Sequence, residues 1–524
     1  MRKPKLYFDT IWYLKPKQLL YQLFYRIKRT FANNQIEKSL QFVQTHELSL
    51  DQSIPSSTSY LGDHFIFLNR EKRFDKKIEW NFEEYGKLWV YNLNYFDYLN
   101  QLDIDEKVAL EIIDSFCEKP YNRKQGAEPY PTSLRGINWI KFFSKRKIAN
   151  PKYDAILFAH YRFLAANVEY HLMGNHLLEN GFSLLFSAYY FRDVKFYVKA
   201  ENILRSELKE QVLHDGGHFE LSPMYHQILL FRLLDCINLT QNNSWKNDSL
   251  LTFLKEKASL MLGWLKEVTF LNGDIPMVND SAYGIGPTSE ALFDYASRLK
   301  IIAQNVPLSD SGYKMIRLGS YELFLDLGNI GPDYIPGHAH SDTFNFVLHY
   351  NGFPLIVDTG TSTYDIGQQR HLERSTTSHN TVKVNDQEQT EVWASFRVGR
   401  RAKIIERLEI EKQIISSHNG YKFLGLIHTR TWQWDDQKII LLDKISGKNL
   451  LKRAVSFVHF HPLVDVKIEN DVVFAGPLRI ACDGKTSLRV EDYSFAEGFN
   501  KTAKGKVLKI YFDETLKTEI SFSV

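Results

Sequence analysis

The sequence predicts an α+β protein in which a helical domain precedes an antiparallel β domain. Two observations predict it. From about residue 91 to 305 apolar residues recur at three- and four-residue spacing, and from about residue 312 onward they alternate. Those are the periods of a helix face and of a strand face. Runs of strands after runs of helices mean segregated domains rather than an alternating α/β sheet. A chain of 524 residues is long enough for two large cores. The expected division is an extension over 1–90 with a short helix and a hairpin, a helical domain over 91–308, and a β domain over 309–524. The last boundary falls in the Pro-Leu-Ser-Asp-Ser-Gly run at 307–312.

The elements follow in order. Residues 15–29 have the pattern of an amphipathic helix, suited either to packing on its own domain or to anionic lipid. The alternating runs HFIFLNREKRF and KKIEWNF read as a hairpin or edge strands. Helices are predicted over 103–118, 152–170, 176–191, 194–213, 223–240, 246–269 and 288–304. Their short connections suggest paired helices in a curved or ring-like array. Strand-like runs begin at MIRLGSYELFLDLG and continue to the tail LKIYFDETLKTEISFSV. Asn351-Gly352 between two of them is a two-residue hairpin signal. Asn385-Asp386 and Ser446-Gly447 mark further turns. The β half is long enough for a two-sheet sandwich, and a cleft between the domains is the natural ligand site.

Composition narrows the function. With 44% hydrophobic and 24% charged residues the chain is globular, not disordered. A net charge of +3 gives no overall field that would call for nucleic acid, though a local basic cleft for an anionic ligand is compatible with it. Cys117, Cys236 and Cys482 are distant and odd in number, so they form neither a disulfide framework nor a metal knuckle and read as buried thiols. The N-terminus lacks an unbroken apolar signal core, and no run reaches the roughly 18 apolar residues of a membrane span. The expectation is a cytoplasmic protein, or a periplasmic one in mature form.

Four motifs carry possible chemistry. In Gly174-Asn175-His176-Leu177-Leu178-Glu179, the polar groups share a helix face. Asn175 reads equally as an N-cap and as a functional amide, and His176 favours function. In DGGHFELSPMYH, Ser222-Pro223 is a cap followed by a first helical residue. Tyr225 then sits in the first turn, where backbone dipoles can lower its pKa. In GHAHSD, His338 and His340 point to one side of an extended chain. They suit two ligands of a metal, one ligand and one catalytic imidazole, or two solvated histidines. Asp358 and His379, with His340, make a zinc-type N/N/O set, and Tyr364 lies six residues beyond Asp358. In EVWASFRVGRR, Arg397 and its neighbours could take a carboxylate or sulfate bidentately, or line a solvated strand edge.

Taken together, GNHLLENG, DGGHFELSPMYH, GHAHSDTFNF, PLIVDTGTSTYD, RSTTSHNTVKVND and EVWASFRVGRRA resemble the heparinase II/III-like family of polysaccharide lyases. KLWVYNLNYFDYL and EPYPTSLRGINWIKFF resemble its N-terminal helical part, so the likeness spans roughly residues 85–410. The resemblance implies an incomplete (α/α) toroid followed by an antiparallel β-sandwich. It implies β-elimination on an acidic, uronic-acid-containing polysaccharide, a glycosaminoglycan such as heparan sulfate, with 4,5-unsaturated products. Alginate and bacterial exopolysaccharide lyases share the motifs, and a metal-dependent glycan hydrolase is the alternative chemistry. By family motif, Asn175 and His176 neutralise the substrate carboxylate and Glu179 orients His176. Tyr225 and His338 are the proton-transfer pair, and Tyr364 supports them. His340, Asp358 and His379 hold a structural zinc. Tyr91, Asn92, Asn94, Arg135, Asn138 and Trp139 are implied as sugar-groove contacts.

Overall fold

The basic, aromatic N-terminus forms two helices, α1 (Arg2–Ile11) and α2 (Pro16–Phe31). The computed structural model describes residues 2–31, 43–51, 53–75, 77–118, 126–246, 249–448 and 453–522. The helical expectation at 247–248 and the last two residues of the expected terminal strand lie outside the described residues. The first hairpin forms as expected, with His64–Phe67 antiparallel to Arg70–Arg73. Lys76 lies outside the described residues, and the rest of KKIEWNF, 77–82, forms no strand. Its aromatic residues leave the backbone in a loop and enter a cluster, Trp80 stacking on Phe96 and Phe82 meeting Trp89 edge-on.

Among the described residues nine α-helices follow before the β domain: α3 (Lys87–Tyr95), α4 (Glu106–Cys117), α5 (Pro129–Arg146), α6 (Pro151–Ala166), α7 (Gly174–Phe191), α8 (Val194–Gln211), α9 (Pro223–Asn242), α10 (Ser249–Val268) and α11 (Ser289–Arg298). Side chains cap them as the sequence suggests. Asp105, Asn150, Asp193, Ser222 and Thr288 each accept a hydrogen bond from a backbone N–H of the first turn. The helices pack as neighbours around a curved array with α7 near its centre, touching α5, α6, α8 and α9. The centre is apolar all round: Leu177, Phe182, Leu184, Leu185 and Phe186 of α7 are each fully buried. Such burial is worth about 1.5–3 kcal/mol per side chain. The same fact explains why α5 is invisible to periodicity. Every residue from Pro131 to Ser144 is buried, so there is no polar face to set against an apolar one. The helix expected to reach 304 stops at Arg298, because Lys300 adopts a left-handed φ of 58°.

The β domain opens at Tyr313–Leu318. Its large antiparallel sheet has 14 strands among the described residues, ten along one continuous path and four branching from it. The path runs from Ile404–Ile410 through Leu426–Trp434, Lys438–Gly447 and the long Lys501–Phe522 to Phe346–Tyr350, Tyr321–Asp326 and Tyr313–Leu318. The ladder curls so that its two ends share one core. Leu323, Leu325 and Phe346 from one end join Ile414, Trp432 and Leu441 from the other. These are the two layers of the expected sandwich. The Asn351-Gly352 hairpin forms with φ of 50° and 75°, the left-handed pair such a turn demands. A short helix, α12 (Gln368–Glu373), lies within the β half.

The domains are locked at their junction. The buried Asp215 carboxylate accepts from Ser309 N, Ser311 N and Ser311 Oγ, and Trp264 Nε1 donates to the same hydroxyl. Gly216 beside it has φ 89°, and a Cβ there would collide with the Leu260 carbonyl of α10. That turn therefore needs glycine, and it delivers the chain into the Ser222 cap of α9.

Candidate active site

The N-terminus of α7, the N-terminus of α9 and the loop before Phe346–Tyr350 meet where the two domains face each other. Asn175 does not cap α7, because the cap position is Met173 and carries no side-chain bond. Its amide is instead held by Glu220: Asn175 N donates to Oε1 at 2.9 Å and Nδ2 to Oε2 at 2.8 Å. Gly174 makes room for this, since a Cβ there would strike the Glu220 carboxylate. The same Nδ2 lies 3.4 Å from His338 Nε2, across the domain boundary.

His338 is held from behind. Its Nδ1 donates to Asp280 Oδ2 at 2.9 Å, which leaves Nε2 as the lone-pair nitrogen toward Asn175. Glu220 Oε2 lies at the same distance from that nitrogen, 3.4 Å. Burial would raise the Asp280 pKa, but the Arg370 guanidinium and the two histidine hydrogen bonds outweigh it and hold the carboxyl well below its usual value. Arg370 Nη2 donates to Asp280 Oδ2 at 2.7 Å. Its guanidinium also lies over the rings of Tyr364 and Phe396, at 4.9 and 5.4 Å.

Tyr225 packs against His338 with ring centroids 4.0 Å apart, and its hydroxyl is 3.3 Å from that of Tyr364. The lowered tyrosine pKa expected from the helix turn is not found. Burial raises it, Asp280 and Glu220 add to the rise, and the Tyr364 hydrogen bond offsets only part. Tyr225 is thus a protonated phenol in its resting state. Burial raises Tyr364 as well, with Tyr225 contributing.

His176 stands at the open edge of the site, a third exposed, with Tyr130 at 4.4 Å between centroids. Glu179 does not orient it. Glu169 Oε1 accepts from His176 Nδ1 at 3.2 Å, and although burial alone would lower the histidine pKa, Glu169 turns the shift upward. Glu179 is one turn deeper, fully buried, and its nearest cation is Arg232 Nε at 3.6 Å. Burial pushes its pKa up to about 7, Arg232 opposing.

Four of the implied groove contacts belong to the scaffold. Asn94 Nδ2 donates to the Trp80 and Val90 carbonyls, and Arg135 donates to the Asn94 and Gly126 carbonyls and to Thr132 Oγ1. Asn138 Nδ2 donates to the Tyr95 carbonyl and to Asp97, and Trp139 is fully buried against Phe96 and Phe116. Polar residues in a wholly buried helix satisfy neighbouring backbone groups rather than a ligand. Tyr91 and Asn92 are half-buried, and Asn92 Nδ2 donates to the Leu88 carbonyl. Arg397 is exposed over the Trp393 ring at 5.4 Å, while Arg400 and Arg401 are consumed by the Gln389, Gly420 and Asp333 carbonyls.

Behind His338, His340 Nε2 donates to Asp280 Oδ1 at 2.9 Å and His379 Nδ1 to Asp358 Oδ2 at 2.8 Å. Asp358 is therefore placed as the group that orients His379, not as a third open ligand, and no preassembled group of three metal-ligating side chains occurs among the described residues. The two rings are 5.3 Å apart. Their remaining nitrogens, His340 Nδ1 and His379 Nε2, are buried without a hydrogen-bond partner. Each ring is held by a carboxylate, which fixes the orientation of both unpartnered nitrogens.

Asp280, Arg370, Glu220, Glu169 and Tyr130 were not singled out from the sequence. Glu220 lay inside a recognised motif. Asp280 sits two residues after the apolar run Ile275-Pro276-Met277-Val278.

Comparison with known proteins gives concordant matches. Residues 152–302 match the model described as Heparinase II/III N-terminus, and residues 303–523 the model described as Heparinase II/III-like, C-terminal. A heparin-sulfate lyase of Bacteroides stercoris is 25% identical over 253 residues, 42% of this chain and 37% of that protein. The matched stretch thus spans little more than a third of that relative's length. Among solved structures, heparinase III superposes with a TM-score of 0.68 at 16% identity, covering 97% of this chain and 92% of the other. Heparan sulfate lyase HepC from Pedobacter heparinus gives 0.56 at 16% identity, covering 87% and 80%. Both share the helical toroid and the antiparallel β domain.

Proposed function

Because the chain belongs to the heparinase II/III-like family, we propose that it is a polysaccharide lyase that cleaves a uronic-acid-containing polymer by β-elimination. The observation that carries this reading is the Tyr225–His338 pair, its ring centroids 4.0 Å apart across the domain boundary beside Asn175. The C5 proton of a uronate is weakly acidic while its carboxylate is charged. Elimination needs that charge neutralised, the proton taken, and the departing O4 protonated.

Each need has a residue. Asn175, its amide aimed by Glu220, and His176, made more basic by Glu169, meet the carboxylate. His338 Nε2 takes the C5 proton, and Asp280 behind it stabilises the imidazolium. The C5–H electron pair becomes the C4=C5 bond as the C4–O4 bond breaks. Tyr225, kept protonated by burial, gives its proton to O4, and the Tyr364 hydroxyl at 3.3 Å hydrogen-bonds the phenolate. Tyr91, Asn92 and Arg397 are the groove-side candidates for further sugar and anion contacts. The substrate we favour is a glycosaminoglycan such as heparan sulfate, the class named for the Bacteroides stercoris relative.

The test is incubation with heparan sulfate, hyaluronan, chondroitin and alginate while following ultraviolet absorbance of a 4,5-unsaturated product. Absorbance with heparan sulfate is expected. New reducing ends without absorbance would overturn elimination in favour of hydrolysis.

A structural zinc fits the orphaned nitrogens. His340 and His379 would hold it, with Asp358 orienting His379, and it would brace the loop that carries His338. Metal analysis of the purified protein should find zinc, and His379→Ala should lose both the metal and several degrees of melting temperature. Full metal content in that variant would remove His379 from the site.

A further inference from the structure

The two N-terminal helices have two unlike faces. The inner face clamps both domains. Thr10 Oγ1 donates to the Val398 carbonyl and Arg401 lies 3.7 Å over the Tyr13 ring, both in the β half. Gln18 Nε2 donates to the Leu172 carbonyl, and Tyr21 packs on Tyr170 at 4.8 Å, both in the helical half. The outer face is apolar and open. Phe8, Trp12, Leu20, Leu23, Phe24 and Ile27 are exposed, Trp12 at 72% and Leu20 at 66%. A patch of this length rimmed by cations is unusual on a free surface.

Its surroundings say what covers it. The first 31 residues hold eight Lys and Arg against one Asp, whereas the remaining 493 hold 57 basic and 61 acidic residues. The positive charge of the whole chain is thus concentrated where the apolar face is. Beside α2, a groove of about 440 Å³ continues the face onto α8: Tyr170, Val194 and Val198 line it, with Lys195 and Lys199 at its edge. Val194 and Val198 are half-exposed. No helix among the described residues is long and apolar enough to cross a membrane.

We propose that α1 and α2 dock the protein on an anionic lipid bilayer, lying in the plane of the headgroups. Trp12 and Phe24 would sit at the acyl boundary, and Lys5, Lys17 and Lys195 against the headgroups. Aromatic and aliphatic residues on one face with lysines at the rim are the composition of an interfacial helix. Because the strap also bonds the Tyr334 carbonyl, four residues before His338, the bilayer would hold the cleft at its surface.

The test is co-sedimentation of the full chain with phosphatidylcholine vesicles, with and without phosphatidylglycerol. Binding is expected only with phosphatidylglycerol, and it should weaken as salt is raised. Lys17→Gln and Lys195→Gln should each weaken it about fivefold. The double variant Leu20→Ser/Phe24→Ser should weaken it at least tenfold with an unchanged melting temperature, since both side chains are exposed. Three results would overturn the proposal: no binding to anionic vesicles at low salt, wild-type binding by the double variant, or a wild-type dimer in sedimentation that this variant converts to monomer. The last would make the face an interface between two copies of the chain.

Discussion

The protein builds nearly the same charged cluster twice. At the cleft, Asp280 takes a guanidinium from Arg370 and imidazole N–H groups from His338 and His340. Inside the β domain, Asp443 takes a guanidinium from Arg430 and an imidazole N–H from His428, which continues to His418 at 3.0 Å. The parts are the same and the surroundings differ. The outer histidine of the first cluster is 13% exposed and presents its Nε2 to a polar neighbour from the other domain. The second cluster is sealed: Phe344 covers both histidines and packs on Trp432, and burial drives His418 far below its usual pKa and lowers His428. A histidine–aspartate–arginine set is therefore not a catalytic signature in itself. What separates the two clusters is that only the first leaves an imidazole nitrogen facing the cleft.

The sharpest way to break this comparison is to mutate one histidine in each cluster. His338→Ala should lower kcat by about 10²–10⁴-fold, the usual contribution of a positioned acid or base. His428→Ala should leave kcat within a few-fold and lower the melting temperature. Equal kinetic losses in the two variants would mean that facing the cleft does not set His338 apart from His428.

Truncating the second aspartate should have the next largest effect. Asp443→Ala strands Arg430 in the core, where its Nη1 reaches only the Phe344 and Asn380 carbonyls. Leaving one partner of a buried ion pair costs about 3–5 kcal/mol. Denaturant unfolding should show that loss. A change below about 1 kcal/mol would mean that the carbonyls alone satisfy the guanidinium.

The comparison also explains what could be read from the sequence. Helical and strand periods were legible wherever an element has one wet face, as in α4, α8 and the terminal strands. They failed in α5, and the groove contacts that the resemblance implies there, Arg135 and Asn138, bond neighbouring backbone and side-chain groups instead. His338, Tyr225 and His176 stand out in the sequence because each sits beside a turn or cap signal that does not itself require it. Asp280 and Glu220 do not, because what ties them to the site is contact between residues far apart in the chain. Glu220 is 45 residues from Asn175, and Asp280 is 58 residues from His338. A contact of that separation leaves no local pattern. Glu179 was misread for the opposite reason. Three-residue spacing does put it on the His176 face, but Glu169, seven residues upstream, reaches the ring first.

Glu179 offers the smallest and most specific probe of the cleft's interior. Its carboxyl is fully buried and neither oxygen has a hydrogen-bond partner, with Arg232 at 3.6 Å. Burial raises its pKa to about 7 from an ordinary 4.5. The folded state therefore keeps a proton that the unfolded chain has already released between those values. Wherever the unfolded state binds fewer protons, stability falls as pH rises. This residue's contribution is most favourable below pH 4.5, declines through the interval and is fully lost above pH 7, a change on the order of 3 kcal/mol. Glu179→Gln cannot titrate, so its unfolding free energy should lack that decline, and the difference from wild type should be largest above pH 7. Parallel stability profiles for the two proteins across this range would mean that Glu179 is ionised in the fold. Arg232 would then hold the carboxylate more tightly than a 3.6 Å separation and a solvent-free setting imply.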